Sequence, residues 1–394
     1  MYFTHPQLKL TLRNLRKIIL SFFKKADENS LKEELSLYFP GKNFLFTDMG
    51  RTAFRLIIEE FNLKNSQMLM PAFICDVFYP ILKRYNIIPI FLDIDLKTFN
   101  IIPEEINKKV TPQTKSLLIC HTYGLPANLD VLLGLASQHN LLVIEDCAHS
   151  FGTLYQSKHG EGQAKLQRKY VGNFGDVAFF SLYKQFPSLR GGMIIFKAQS
   201  SKLKAQKNLA KTSFSLRDFL SFLNCFPFFS FLFKKFGSEI APKMLRKEKL
   251  KELAMINRIS LNLFSQFLKS FQDDLTKRIK LALELQKELE KLGFEVQKSE
   301  NNVFCYLSAL VPKNLNRDKF VRDLRKYKIF ATRIWHTPII LNPEVQKEYN
   351  LNPADFKNTV EAAKRIINFP LQNYYTQKDI KKIIEGVKSI LTKN

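Results

Sequence analysis

The sequence predicts an α/β fold on a mostly parallel sheet, followed by a smaller α+β C-terminal domain. Two observations carry this. Between about residues 41 and 196, short apolar runs alternate with stretches of helical period. That is the pattern of strands covered on both faces by helices. From about residue 256 onward, long helical periods dominate and strand-like runs become sparse. A chain of 394 residues is long enough for such a division. The expected organisation is an N-terminal basic amphipathic segment over 1–40, a large domain over 41–255 with an insertion at 198–250, and a small domain over 256–394.

The N-terminal segment comes first. Leu8, Leu10, Leu12, Leu15, Ile18, Ile19, Phe22 and Phe23 are interleaved with Lys9, Arg13, Arg16, Lys17, Lys24 and Lys25. The spacing predicts an amphipathic helix, docked on the body or lying on a membrane surface. Basic residues interrupt the apolar run and no small-residue cleavage site follows, so a secretory signal is not expected.

In the large domain, strands are predicted at Phe44–Phe46, Met68–Met70, Ile88–Leu92, Ser116–Cys120, Leu141–Ile144, Val177–Leu182 and Met193–Phe196. Helices are predicted between them, as at Thr52–Phe61, Asp76–Tyr85 and Asn128–His139. The insertion differs: lysines (Lys202, Lys204, Lys207, Lys211) precede the phenylalanine-rich run Phe219–Phe233, which Lys234 and Lys235 follow. The run is too short to span a bilayer and Pro227 breaks it. It reads as a helical hairpin packed on the body or a partner, or as an interfacial patch with lysines toward lipid headgroups. After it come a helical stretch from about 256 through Leu292, strand-like Val303–Leu307, a helix over Arg317–Tyr327, the apolar stretch Ile329–Ile339 and a closing helix over Thr376–Leu391.

Composition narrows the function classes. Hydrophobic residues make up 45% and charged residues 25%, as in a globular chain. The formal net charge of +25 attracts polyanions or phosphorylated substrates. No zinc-finger spacing, ribonucleoprotein motif or basic zipper points to nucleic acid. Cys75, Cys120, Cys147, Cys225 and Cys305 show no paired spacing, so neither disulfides nor a metal site is expected and a reducing cytoplasm fits.

Ligands of such sheets bind beyond the carboxyl ends of the strands. Two predicted strands end there on chemically suggestive residues. Leu141–Ile144 leads into Glu145, Asp146, Cys147, Ala148 and His149, while Val177–Leu182 leads into Tyr183 and Lys184, shortly before Gly191 and Gly192. A strand-end lysine and a strand-end aspartate are what pyridoxal phosphate (PLP) chemistry needs. The lysine forms the Schiff base, and the aspartate keeps the pyridine nitrogen protonated so that the ring takes up electrons. His149 is placed to bond the cofactor's phenolic oxygen. Gly50 opens a helix whose N-terminal N–H groups suit a phosphate, with Arg51, Thr52 and the Ser181 hydroxyl as further donors. Each has a plainer reading: Asp146 as a helix cap, His149 as a satisfied structural histidine, Lys184 as a surface lysine, Ser181 as a turn serine.

With these residues in view, the chain resembles the DegT/DnrJ/EryC1/StrS family of PLP-dependent nucleotide-sugar aminotransferases, from about 41 to 196 and again around 255–268 and 365–391. Gly50-Arg51-Thr52-Ala53-Phe54 resembles the family's Gly-Thr-x-Ala-Leu phosphate stretch, and Pro71-Ala72-Phe73 its Pro-x-Phe segment beside the cofactor. Phe91-Leu92-Asp93-Ile94-Asp95 with Thr98-Phe99-Asn100 resembles Val-Asp-Ile-Asp…Thr-Tyr-Asn. His121-Thr122-Tyr123-Gly124 with Pro126-Ala127 resembles His-x-Tyr-Gly-x-Pro-Ala. Glu145-Asp146-Cys147-Ala148-His149 is similar to Glu-Asp-Ala-Ala-Gln, and Gly172–Asp176 to Gly-Ser-x-Gly-Asp. Asn257-Arg258-Ile259-Ser260 is similar to Asn-Tyr-Arg-Met, whose asparagine reaches the phosphate of the neighbouring subunit's cofactor.

The resemblance implies a type I PLP-dependent transferase fold and a homodimer with interfacial active sites. It also implies amino transfer from glutamate or a similar donor to a nucleotide-linked keto sugar, in cell-surface polysaccharide or lipopolysaccharide synthesis. Lys184, Asp146 and His149 would be catalytic, with Gly50, Arg51, Thr52, Phe73, Ser181 and Asn257 completing the cofactor site. Arg333, Trp335 and His336 are candidate substrate contacts.

Three departures stand out. Lys184 follows Ser181 by three residues where the usual pattern has five, a spacing shared by a Ser-Leu-Arg-Lys…Gly-Gly branch; Arg190 stands where an acidic residue is usual; and the 198–250 insertion is basic and rich in phenylalanine. Two alternatives follow: a sugar dehydratase, whose relatives replace the lysine by histidine, and a catalytically degenerate, membrane-associated scaffold contacting lipid through 1–30 or 219–235.

Overall fold

A computed structural model describes residues 8–9, 11–23, 27–157, 167–197, 209–226, 228, 252–298 and 300–392. The helices are α1 (Leu12–Phe23), α2 (Glu28–Ser36), α3 (Gly50–Glu60), α4 (Tyr79–Arg84), α5 (Glu105–Lys109), α6 (Leu129–Gln138), α7 (Leu216–Asn224), α8 (Arg258–Leu268), α9 (Phe271–Lys291), α10 (Arg317–Leu324), α11 (Pro343–Tyr349), α12 (Lys357–Arg365) and α13 (Gln377–Leu391). Strands of the main sheet are β1 (Lys42–Thr47), β2 (Gln67–Pro71), β3 (Ile88–Leu92), β4 (Thr114–Cys120), β5 (Leu142–Asp146), β8 (Val177–Ser181) and β9 (Gly192–Lys197). A separate hairpin pairs β6 (Leu154–Ser157) with β7 (Gln167–Tyr170).

The main sheet has 7 strands in the order β1-β9-β8-β5-β4-β2-β3. Its β8-β5-β4-β2-β3 pairings are parallel, and β9 is antiparallel to both of its neighbours. Period-2 alternation sends neighbouring residues to opposite faces. Leu117, Ile119, Val143, Phe180 and Ile195 join α2 and α8 in one core, while Leu118, Ile144, Phe179 and Ile194 join α3 and α4 in another. Both faces are dry, which is why these strands read as unbroken apolar runs.

In the small domain β10 (Glu295–Val296), β11 (Leu307–Leu310) and β12 (Ile366–Phe369) form an antiparallel sheet packed against α9, α10 and α13. Helix α9 joins the two bodies, with Phe271 and Leu275 in the large domain's core and Leu281, Leu285 and Leu289 in the small one's.

Two expectations are corrected. The helical stretch from 256 is two helices, broken at Lys269 and Ser270. The strand expected from Val303 begins at Leu307. Phe304 takes a left-handed φ of 47°, and the N–H groups of Val303 and Cys305 bond the carbonyls of Gly124 and Tyr123 instead of a ladder. The apolar stretch Ile329–Ile339 pairs through a bridge between Thr332 and Asn368 and takes a left-handed φ of 62° at Trp335. In the insertion, α7 and its approach are described; the remaining expected hairpin lies outside the described residues, as do Lys24 and Lys25.

Candidate active site

Strands β5 and β8 are parallel neighbours, with Asp146 opposite Phe179. Their exits therefore lie at one edge of the sheet. Asp146 closes β5, 4% exposed, and its Oδ1 accepts a bond from the Ala148 N–H (2.9 Å). Among the described residues Oδ2 accepts none. Burial pushes this carboxyl up, and the charge of Lys184 acts against that rise.

Lys184 ends a short 3₁₀ turn, Leu182–Lys184, directly after β8. Its Nζ lies 2.9 Å from His149 Nε2. The Tyr123 N–H donates to His149 Nδ1 (3.4 Å). Burial, followed by the charge of Lys184, holds His149 well below the ordinary imidazole range. Its ring stacks on Tyr123 (centroids 5.6 Å, 29°), meets Tyr306 edge-on at 5.5 Å and lies 5.1 Å from Trp335.

Glu145 points the other way from Asp146 and serves structure. It accepts bonds from His121 Nε2 (3.0 Å) and from the N–H groups of Gly172 (2.8 Å), Phe174 (2.9 Å) and Gly175 (2.6 Å). Burial alone would push this carboxyl up. The bonds from His121, Gly175 and Gly172 overcome that and leave it below its ordinary value. With Cys147 these side chains lie close enough for a metal. The Ala127 N–H on His121 Nδ1 (3.1 Å) and the four donors on Glu145 show a satisfied hydrogen-bond network instead.

The N-terminus of α3 opens at the same edge. Met49, its N-cap, makes no side-chain cap bond. A Cβ on Gly50 would lie 3.3 Å from that of Ser181, so glycine keeps the helix end against the β8 exit. A Cβ on Gly192 would sit 2.4 Å from Met49 O, and Gly191 takes a φ of 142°, which together explain the glycine pair. Thr52 Oγ1 donates to Asp48 Oδ1 (2.6 Å), and Arg51 Nη2 lies 3.0 Å from Met49 Sδ.

These residues fit pyridoxal phosphate. The helix N-terminus, whose N-cap makes no side-chain bond, lies beside the Ser181 hydroxyl and suits the phosphate, the open Oδ2 of Asp146 suits a protonated pyridine nitrogen, and Lys184 offers its amine. Two predicted site residues lie differently. Phe73 is fully buried in a cluster with Phe99, Tyr123 and Trp335, one ring behind His149. The Asn257 side chain caps α8 by accepting the Ser260 N–H (2.8 Å) and donates to Asp218 (3.4 Å). Arg190 finds its carboxylate in Asp218 of α7, so the insertion supplies the acid that the loop lacks.

Sequence reasoning passed over Tyr306, Gln185, Arg278 and Cys305, whose Sγ is 3.9 Å from the Lys184 carbonyl. Only Gln185 carried a signal, its adjacency to Lys184. Arg333 is held by Asp318 (2.6 Å).

The family model described as the DegT/DnrJ/EryC1/StrS aminotransferase family matches residues 24–388. The chain belongs to that family. A relative in Escherichia coli O157:H7, GDP-perosamine synthase, is 32% identical over 134 residues, 34% of each chain. The spore coat polysaccharide biosynthesis protein SpsC of Bacillus subtilis is 24% identical over 313 residues, 77% of this chain and 73% of its own. Among solved structures, Helicobacter pylori PseC, an aminotransferase of pseudoaminic acid biosynthesis, superposes with a TM-score of 0.76 over 99% of both chains at 15% identity, a likeness of fold. Lys184, Asp146 and His149 lie together at the carboxyl ends of β5 and β8.

Proposed function

We propose that this protein is a pyridoxal-phosphate-dependent aminotransferase that moves an amino group from an amino acid, glutamate as the first candidate, to a nucleotide-linked keto sugar for cell-surface polysaccharide synthesis. The observation that carries the reading is Lys184 Nζ, held 2.9 Å from a buried neutral imidazole beside the β5 exit that ends in Asp146. Bound cofactor supplies an aldehyde that captures amines reversibly and a ring that accepts an electron pair. The chain's residues do the rest. Asp146 holds a proton on the pyridine nitrogen by charge. Lys184, once freed from the cofactor, moves a proton at the substrate's α-carbon. The α3 N-terminus, Gly50 and Ser181 bind phosphate, and His149 orients the lysine and the ring.

The similarity to a GDP-perosamine synthase supports the nucleotide-sugar class, and the similarity to SpsC supports a place in polysaccharide synthesis. Lys184 itself favours transfer over the dehydratase reading, in which histidine stands at that position. The proposal includes a cytoplasmic homodimer, resting on family likeness and on five free cysteines. It also includes peripheral contact with anionic lipid. Leu12 (87% exposed), Leu15, Ile19 and Phe23 (82%) form a stripe on α1 beside Arg13 and Arg16, and α7 adds exposed Leu216 and Phe219. Among the described residues no helix is long and apolar enough to cross a membrane.

The test supplies glutamate with a panel of nucleotide-linked keto sugars. An amino sugar formed in step with 2-oxoglutarate is expected. Loss of a sugar hydroxyl with no nitrogen gained would point to the dehydratase, and no turnover or cofactor uptake to the scaffold.

A further inference from the structure

Lys184 and His149 leave the sheet on different strands, yet their side chains meet at hydrogen-bond distance. The turn that carries Lys184 is short, closed by bonds from the N–H groups of Gln185 (3.2 Å) and Phe186 (2.9 Å) to the Leu182 carbonyl. Those bonds are internal to the turn and do not fix its separation from the β5 exit. The strand pairing and the bond from the Cys147 N–H to the Phe179 carbonyl (2.9 Å) set the spacing up to the exits, and beyond them the side chain of Gln185 ties the turn to His149. Gln185 is 3% exposed, and its Nε2 donates to the His149 carbonyl (2.9 Å). Its Oε1 accepts a bond from Arg278 Nη2 (2.8 Å).

Arg278 lies on α9, 5% exposed, and its Nε donates to the Val303 carbonyl (3.1 Å). Among the described residues it forms no ion pair, so its charge is met by neutral oxygens. A buried guanidinium is costly unless its donors are used. Here they have a directional effect. Arginine is donor-only, so it forces the amide oxygen of Gln185 toward itself and turns the amide N–H₂ toward His149. A ring of contacts closes: the His149 backbone, the Gln185 side chain, the Lys184–Gln185 backbone, the Lys184 side chain and the His149 imidazole. Arg278 locks this ring from the helix that joins the two domains.

We propose that Gln185 and Arg278 are positioning residues, which hold the Lys184 amine against His149 in a turn shorter than the family's usual one. The inference rests on the reading of Lys184 as the cofactor lysine.

Gln185→Glu separates the two halves of the clamp: glutamate keeps an acceptor for Arg278 and loses the donor toward the His149 carbonyl. Gln185→Leu removes both. In cofactor-free protein, labelling of each lysine by an amine-reactive reagent is read by mass spectrometry. With added pyridoxal phosphate, the pH midpoint of the visible band and the borohydride-fixed adduct on Lys184 are read, alongside the thermal midpoint. Misplacement by about 1 Å is enough for a 10-fold or larger loss of adduct. The expected result is that loss in both variants, with a displaced band midpoint and altered labelling of Lys184 alone. Unchanged labelling and band midpoint overturn the inference while the reading of Lys184 stands, even where the thermal midpoint falls. No adduct in the parent protein overturns both. Should Gln185→Leu fail to fold, Gln185→Glu decides the matter alone.

Discussion

The exits of β5 and β8 and the outer face of α1 and α7 use the same residue types in opposite ways. At the strand exits Phe179 and Phe180 are buried, and Lys184 is half-buried with its amine against His149. On α1, Leu12 and Phe23 stand exposed on the helix that also exposes Arg13 and Arg16, and on α7 Leu216 and Phe219 are exposed. The first region has buried its apolar surface in its own core and gathers its polar groups, the Asp146 carboxylate and the Lys184 amine among them, at one set of strand ends. The second keeps both available. A lysine among phenylalanines is therefore uninformative by composition; the partners that topology brings to it decide its role. Arg190 links the regions through its pair with Asp218, which ties the insertion to the loop ahead of Gly191.

That comparison can be broken at several points, in falling order of effect. Lys184→Ala should abolish amino transfer, a loss on the order of 10³-fold or more, measured as amino-sugar yield per turnover time. Asp146→Asn should cost roughly 10²-fold in rate by removing the charge that holds the pyridine proton, with little change in the denaturation midpoint. Glu145→Gln should act on stability. It weakens a fully buried set of charge-assisted bonds, at about 2–4 kcal/mol by urea unfolding. A chelator should leave that stability unchanged, since the network is satisfied without a metal.

The pH dependence of stability sharpens the contrast further. His149 is held well below its ordinary value of 6.5 by burial and by Lys184. As pH falls through about 6.5 the unfolded chain takes up this proton first. The parent should lose stability from there downward until the folded-state value is reached, and His149→Gln should lose less over the same window, as followed by urea midpoints. Smallest in stability, within about 0.5 kcal/mol, is the exposed pair Leu12→Ser with Phe23→Ser. Its effect should appear in sedimentation with anionic vesicles, where the parent is retained and the variant released. Equal retention would remove α1 from the lipid-contact proposal.

Much of this was legible in the chain. Strands buried on both faces announce themselves as apolar runs, and Leu141–Ile144 and Val177–Leu182 led directly to the site residues. The hairpin β6–β7 was not legible, because Leu154–Ser157 and Gln167–Tyr170 carry polar residues without clear alternation. Val303–Tyr306 misled because its backbone serves Tyr123 and Gly124 of the other domain, a tertiary choice that overrides strand propensity. Arg278 was invisible for the same reason: its partner Gln185 lies 93 residues away. The residues proposed to do chemistry sit at strand ends where pattern points to them, while Arg278, proposed to hold them in place, arrives from a helix distant in sequence.

The most direct test of the central claim is borohydride reduction of the protein mixed with pyridoxal phosphate, followed by peptide mapping beside Lys184→Ala. The account predicts one adduct, on the peptide containing Lys184, absent from the variant. An adduct elsewhere, one that persists in Lys184→Ala, or none at all would contradict it.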